Sequence, residues 1–121
     1  MAPKMRRRRG GEVEAWVAAR LEAAGWRVLD RNFTVRGGEL DLVIEREGLR
    51  AFVEVRGRSR DEYGSAAATV GPKKIQRVRL AARHWLARHG DGGCDLRFDV
   101  IAVELDQGQP WSLDHLEAAF F

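Results

Sequence analysis

GELDLVIEREGLRAFVEVRGRS, Gly38 to Ser59, is the stretch on which the fold of this 121-residue chain turns. It divides at Glu47-Gly48 into two segments that alternate apolar and polar residues with period two, the pattern of half-buried strands. In the first, Leu40, Leu42 and Ile44 share one face and Glu39, Asp41 and Val43 the other. In the second, Ala51, Val53 and Val55 lie opposite Phe52, Glu54, Arg56 and Arg58. The tightest hairpin turns on Glu47-Gly48, with glycine supplying a positive φ. Counting outward from that turn pairs Arg46 with Leu49, Leu42 with Val53 and Leu40 with Val55. On the other face Asp41 falls opposite Glu54, and Glu39 opposite Arg56. A slip by one residue would send every apolar side chain to the wrong side, so the register is well specified. Directly opposed residues have Cβ atoms about 4.5–5.5 Å apart, and like charges there are destabilising. Two such carboxylates need a cation between them, or one of them holds a proton. A divalent metal with oxygen ligands meets that need.

Outward from the hairpin, the remaining segments complete a mixed α/β pattern. Residues 11–25 form an amphipathic helix, with Val13, Trp16, Val17, Leu21 and Ala24 at helical spacing and Gly25 at its end. Trp26 to Phe33 is a first strand. Gly57 to Gly71 is a polar loop containing Asp61-Glu62-Tyr63-Gly64, and a second helix opens at Pro72, a residue suited to the first helical position. Ile75, Val78, Ala82, Trp85 and Leu86 form its buried stripe. Lys73, Lys74 and Arg77 crowd its first turns, where the helix dipole disfavours positive charge unless an anion is bound. Arg97 to Leu105 is apolar on both faces, as a central strand is. Trp111 to Phe121 supplies a short strand and an apolar C-terminus that packs on the core. The expected architecture is one sheet with helices on its faces, in the order helix, three strands, helix, strand and a last short strand.

The composition bounds the function. The length suits one domain with a single core, and 45% hydrophobic with 32% charged residues is a globular balance. No apolar run approaches the roughly 20 residues of a membrane helix, and Glu12 and Glu14 interrupt the N-terminus where a signal peptide would be apolar. No membrane partner is expected. The single cysteine, Cys94, rules out an internal disulfide and suits a reducing cytoplasm. The net charge is +3, of which Lys4 and Arg6 to Arg9 supply five, leaving residues 10–121 at −2. Residues 1–10 are therefore set apart as a basic flexible arm, and residues 11–121 as the folded domain. His84, His89 and His115 have no cysteine or histidine partner at zinc spacing. Gly71-Pro72-Lys73 lacks the preceding glycine of a phosphate loop.

Acid, gap, then Glu-x-basic on a neighbouring strand is the logic of metal-dependent phosphodiester cleavage: carboxylates hold the ion, the ion activates water, and a nearby cation assists. GELDLVI followed by FVEVRGRS resembles the D…E-x-K core of the PD-(D/E)xK nuclease superfamily, including archaeal Holliday-junction resolvases. More closely, the chain resembles the YraN family of uncharacterised bacterial proteins. The matching stretches are Gly11-Glu12, Gly25-Trp26, Arg31-Asn32, Gly38-Glu39-Leu40-Asp41, Phe52-Val53-Glu54-Val55-Arg56, Tyr63-Gly64, Lys74, Arg97-Phe98-Asp99-Val100 and Ala119-Phe120. They run in order over nearly everything from residue 11 onward.

The resemblance implies a restriction-endonuclease-like fold and a Mg²⁺- or Mn²⁺-dependent endonuclease. Asp41 and Glu54 would be direct metal ligands, the Val55 carbonyl a third, and Glu12 a helix glutamate reaching the metal through water. Lys73 or Lys74 could approach the phosphate from the second helix. Arg56 stands where the superfamily usually carries lysine; it can clamp a phosphate but, always protonated, cannot take a proton from water. Glu39, its expected neighbour, could neutralise it. The cations expected to meet nucleic acid are Arg58, Lys73, Lys74 and Arg77, with Arg6, Arg7, Arg8 and Arg9 of the arm. The expected partner is nucleic acid, DNA before RNA, and a branched substrate would call for a homodimer with two sites. Two rivals stand beside the nuclease: a nucleic-acid-binding module with an impaired site, and a protein-interaction subunit with no catalysis.

Overall fold

Seven elements follow one another: α1 (Ala2–Ala23), β1 (Arg27–Val35), β2 (Gly38–Arg46), β3 (Leu49–Ser59), α2 (Pro72–His89), β4 (Asp95–Asp106) and β5 (Gln109–Phe120). The computed structural model describes residues 2–59 and 70–120, and the side chains of residues 11–58 and 70–120. The expected α/β class and element order are what it contains. The strands form one sheet in the order β1-β2-β3-β4-β5. β3 and β4 run parallel, joined across α2, and the other neighbours are antiparallel. The central place expected for the Arg97–Leu105 strand is the one β4 takes.

The β2–β3 hairpin has the register that alternation sets, from Arg46↔Leu49 to Leu42↔Val53. Its two-residue turn has positive φ at both Glu47 (50°) and Gly48 (78°), the twist that matches right-handed strands. α1 covers one face of the sheet, with Val17, Ala18 and Leu21 buried against Leu42, Ile44, Val53, Ile101 and Val103. α2 covers the other, with Val78, Ala81, Ala82 and Trp85 against Leu40, Val43 and Phe52. Each fully buried Leu, Ile, Val or Phe among them contributes about 1.5–3 kcal/mol. Ile75 and Leu86, expected in the buried stripe of α2, are only partly buried.

Three boundaries differ from the sequence reading. α1 begins at Ala2 and so includes the backbone of the stretch set apart as an arm; the side chains of Arg6 to Arg9 lie outside the described residues. Gly57 to Ser59, read both as the end of the second hairpin strand and as the start of the loop, belong to β3 because they pair with Val103 to Leu105 of β4. Asp61 to Gly64 lie outside the described residues. The C-terminal strand is longer than expected, 12 residues, and Phe120 stacks on Phe98 at 5.2 Å.

One expected face assignment is overturned. Leu40 does not share a face with Leu42 and Ile44; it packs with Val43 beneath α2. The facing strand is irregular at the position between them. β1 and β2 pair at Arg31↔Leu42 and again at Phe33↔Leu40, and Asn32 between them has φ 54°. A left-handed residue breaks the alternation of a strand, and asparagine is among the few side chains that tolerate it. Asn32 is the only asparagine in the chain.

β4 and β5 are held by a buried charge. Asp99 is fully buried, and its two carboxylate oxygens accept from Arg97 Nε and Nη2 at 2.8 and 2.9 Å. His115 Nε2 lies 2.7 Å from Asp99 Oδ2, and the Ala118 N–H donates to Oδ1 at 3.0 Å. These bonds hold β5 where its register shifts between Phe98↔Phe120 and Val100↔Leu116. Burial opposes the charge of Asp99, but His115, Arg97 and the Ala118 amide outweigh it and hold the pKa down at about 2.

Candidate functional site

Past Leu42↔Val53 the sheet forks. β2 stays paired with β1 as far as Gly38↔Val35, while β3 stays paired with β4 as far as Ser59↔Leu105. The Val55 N–H, on the β2 side of its strand, donates to Asp41 Oδ2 at 2.7 Å. A carboxylate thus stands where a ladder carbonyl would, at the base of the fork. Glu54, one residue earlier, is only 3% exposed, and its carboxyl hydrogen-bonds that of Asp41. The expected acids do meet, but by a side-chain bond beyond the end of the ladder and not as the directly opposed pair that the register predicts.

Both helices add to the fork. Lys74 lies on the stripe of α2 that carries Val78, Ala81 and Ala82, so it faces the sheet, whereas Lys73 is one step around and exposed. Lys74 Nζ binds the Glu39 carboxylate and lies 3.6 Å from Glu54 Oε1. The sequence pairs Glu39 with Arg56, but in the structure Lys74 holds it, because α2 reaches over β2 at that point. Arg56 Nη1 lies 3.9 Å from the same Glu54 Oε1. Of the two lysines expected near the phosphate, Lys74 is the one at the site.

From α1 comes Glu14, which sequence reasoning missed. Glu14, Val17, Ala18 and Leu21 are spaced i, i+3, i+4, i+7 along the buried stripe of α1. Its carboxyl hydrogen-bonds the Asn32 side chain and feels the charge of Asp41. Glu12, which the resemblance favoured, is exposed two residues earlier and off that stripe. An acid at a core-facing position of the stripe was the available signal, and the short Gly-Glu motif at Gly11-Glu12 masked it. Arg58 lies farther along β3, opposite Glu104 of β4. Arg77 is exposed on α2, and its charge acts on Glu39.

The fork holds more acid than base: Glu14, Glu39, Asp41 and Glu54 against Lys74 and Arg56. Burial, then the charge of Asp41, pushes Glu54 up to about 8. Burial and Asp41 likewise raise Glu14 to about 7. Asp41 is raised by burial, against the opposing pull of the Val55 amide and Lys74. Lys74 is raised: burial opposes its charge, but Glu39, Glu54 and Asp41 together hold the proton on. At neutral pH Glu54 keeps its proton and donates it to Asp41, Glu14 is about half protonated, and Glu39, lowered by Lys74, is ionised.

Buried and without a hydrogen-bond partner are one oxygen of each protonated acid, Glu14 Oε2 and Glu54 Oε2. An orphaned carboxyl oxygen in the interior costs about 1–3 kcal/mol, and a hard cation would relieve it. Among the described residues no three His, Cys, Asp or Glu side chains form a ready-made metal cluster. Mg²⁺ is usually held by one or two carboxylates and completes its shell with water and substrate phosphate. The donor set fits such an ion, with Asp41 and Glu54 as its holders. Of Val55, the structure engages the N–H.

The raised acids have a measurable consequence. A carboxyl with a raised folded pKa keeps its proton while the unfolded chain loses it, so stability is full below about pH 4.5 and falls as pH rises toward 7–8. Thermal melts in EDTA are expected to show a melting temperature that declines from pH 5 to pH 8, and millimolar Mn²⁺ is expected to restore most of the loss. A flat profile in EDTA would count against the buried protons.

Comparison with known proteins shows relatives over the whole described fold. The model of the uncharacterised protein family UPF0102 matches residues 13–103. A UPF0102 protein of Myxococcus xanthus is 45% identical over 98% of this chain and 94% of its own length. One of Halorhodospira halophila is 47% identical over 81% of this chain and 78% of its own. One of Burkholderia pseudomallei is 49% identical over 78% and 66%. Among the described residues no helix is long and apolar enough to cross a membrane.

Proposed function

Since the chain belongs to UPF0102, the uncharacterised family known as YraN, we propose that its fork acids form a Mg²⁺- or Mn²⁺-dependent site for cleaving nucleic-acid phosphodiesters, DNA before RNA. One observation supports the reading: Glu54 Oε2 is buried without a partner beside Asp41 where the sheet opens, and a second such oxygen, Glu14 Oε2, belongs to an acid that feels the charge of Asp41. Proteins rarely gather buried like charges without a ligand to use them. When bound, the ion would activate water and offset charge developing on the phosphate.

The rest of the chemistry belongs to the chain. Asp41 and Glu54 would surrender their shared proton and hold the ion between two strands. Asp41 is kept in place by the Val55 amide, so the pair needs no rearrangement to bind. Lys74, kept protonated by its acidic neighbours, offers a fixed positive charge to a phosphate oxygen. Arg56 offers a second, able to grip two oxygens at once. Neither is a base. Glu14, raised to about 7, would be the base if a water reached its buried Oε2, since a general base works best with a pKa near the working pH. Cytoplasmic DNA is the setting this chemistry fits.

A specific observation favours a second reading, a binding module that does not cut: Arg56 is permanently charged and Lys74 is tied into ion pairs with Glu39 and Glu54. Two variants separate them. If Glu14 is the base, Glu14→Gln lowers Mn²⁺-dependent cleavage of a plasmid or branched duplex by about 10²–10⁴-fold, while Arg56→Lys, which keeps the charge and loses only the two-oxygen grip, lowers it by no more than about tenfold. A parent chain that binds DNA without cutting it, and gains cleavage in Arg56→Lys, would replace the first reading by the second.

A further inference from the structure

We propose that the outer face of α2, walled by the β1–β2 turn, is a groove that holds the phosphate backbone of duplex nucleic acid without reading its bases. The groove has a volume of about 610 Å³ and is lined by Lys73, Arg77, Arg79, Arg83, Leu80 and Gly37, with Gln76 beside them. The four cations are exposed, and no carboxylate lines the groove among the described residues.

The helix carries this charge against its own interest. Lys73 and Arg77 are four residues apart, and so are Arg79 and Arg83; like charges at that spacing oppose each other on a helix surface. No acid occupies the first turn of α2, where the helix dipole favours one. Folding gains nothing from the arrangement, whereas a bound polyanion would offset both costs. From Lys73 to Arg83 the helix rises about 15 Å at 1.5 Å per residue, which matches about four successive phosphates of a strand at 3.4 Å each.

The wall of the groove is rigid. A Cβ on Gly38 would stand 2.6 Å from the Arg77 carbonyl oxygen and 3.0 Å from the Ala81 nitrogen, so β2 presses directly on the α2 backbone. That close approach sets the groove beside the fork. Arg77 lends charge to Glu39, Glu39 holds Lys74, and Lys74 reaches Glu54. A backbone lying on the basic face therefore continues toward the acids. The inference rests on the phosphodiester reading of the fork and extends it to the substrate class.

The groove chemistry selects duplex over single strand. Sequence-tolerant single-strand sites stack bases on aromatic rings, and the lining has none among the described residues. Cations alone touch phosphates, which position a nucleic acid but carry no sequence information.

The test is fluorescence anisotropy of the full chain with a 20-base-pair duplex over a salt series, in EDTA so that nothing is cut. Arg79→Ala with Arg83→Ala is expected to reduce the slope of log affinity against log salt by nearly 2, about 0.9 for each phosphate that is no longer neutralised. Two unrelated duplex sequences should lose affinity alike. Arg20→Ala with Arg27→Ala, exposed on α1 and β1 and equal in charge, should leave the slope unchanged. An equal fall in both double variants, an unchanged slope, tighter binding of a single strand, or no duplex binding by the parent chain would each overturn the groove. Calorimetry with Mn²⁺ reports on the fork independently, so failure of the groove and failure of the metal site are read apart.

Discussion

Glu54→Gln is expected to abolish Mn²⁺ binding and, in the same protein, to raise the melting temperature of the metal-free form at pH 8. The two effects have one cause. Glu54 is 3% exposed, touches Asp41 and leaves Oε2 without a partner, so in metal-free protein it is kept neutral at the expense of stability. An amide of the same shape cannot ionise, so it removes the part of that cost that grows as pH rises above the carboxyl's ordinary value. For a domain of this size about 1 kcal/mol corresponds to about 4 °C, so a gain of several degrees should be visible. At pH 5, where Glu54 already holds its proton, the gain should nearly vanish. Metal affinity should fall by more than the roughly 10–100-fold that loss of an outer partner costs, because an amide brings no charge to the ion. Asp41→Ala should remove Mn²⁺-dependent cleavage as completely. Calorimetry that gave Glu54→Gln the parental Mn²⁺ affinity, or melts showing it less stable at pH 8, would refute the assignment. A gain in stability with a loss of binding is the signature of a site maintained for function.

Asp99→Ala is expected to have the opposite profile, unfolding the domain without altering what the fork binds. Asp99 is as buried as Glu54 but fully satisfied, by Arg97, His115 and the Ala118 amide. Truncating it leaves those donors facing one another without an anion, and breaking a buried charge pair in this way costs about 3–5 kcal/mol. A urea melt should show the loss as a lower midpoint. Asp99→Asn should lose less, since an amide oxygen still accepts. The pH dependence also reverses. A carboxyl lowered to about 2 stabilises the fold above its ordinary value near 3.8, and that contribution is lost as pH falls from there toward 2. With Glu14 and Glu54 weakening the metal-free fold toward pH 8, maximal stability should lie near pH 4–5. An Asp99→Ala protein that melted like the parent would show that β5 is held by its apolar packing alone.

These two acids show why burial by itself does not identify a site. Both lie in short motifs of alternating strands, Glu54 in Phe52-Val53-Glu54-Val55-Arg56 and Asp99 in Arg97-Phe98-Asp99-Val100. Sequence spacing supplied a carboxylate partner for Glu54 across a hairpin. For Asp99 it had no means of supplying His115, which arrives from a separate strand 16 residues on. Asp99 has both oxygens bonded, by Arg97, His115 and the Ala118 amide, whereas Glu54 keeps one oxygen without a partner beside a second acid, and that difference separates the proposed ligand site from a structural pin.

The local pieces were legible in the order of residues: the Glu47-Gly48 turn, the hairpin register, the helix opening at Pro72, and hence the meeting of Asp41 with Glu54. These depend on interactions between residues close along the chain, where alternation, turn chemistry and helical spacing act directly. Which helix residues complete the fork was settled only when distant segments packed together. Glu14 in place of Glu12, and Lys74 in place of Lys73 or Arg56 as the partner of Glu39, depend on how α1 and α2 rotate over opposite faces of the sheet. That rotation is set by packing Val17, Leu21, Val78 and Ala81 against strands distant in sequence. The turning of Leu40 to the α2 side likewise departs from alternation and shows only in the packed sheet. Pairing within a hairpin follows from a count of two, whereas a helix placed on a sheet must satisfy a whole surface at once.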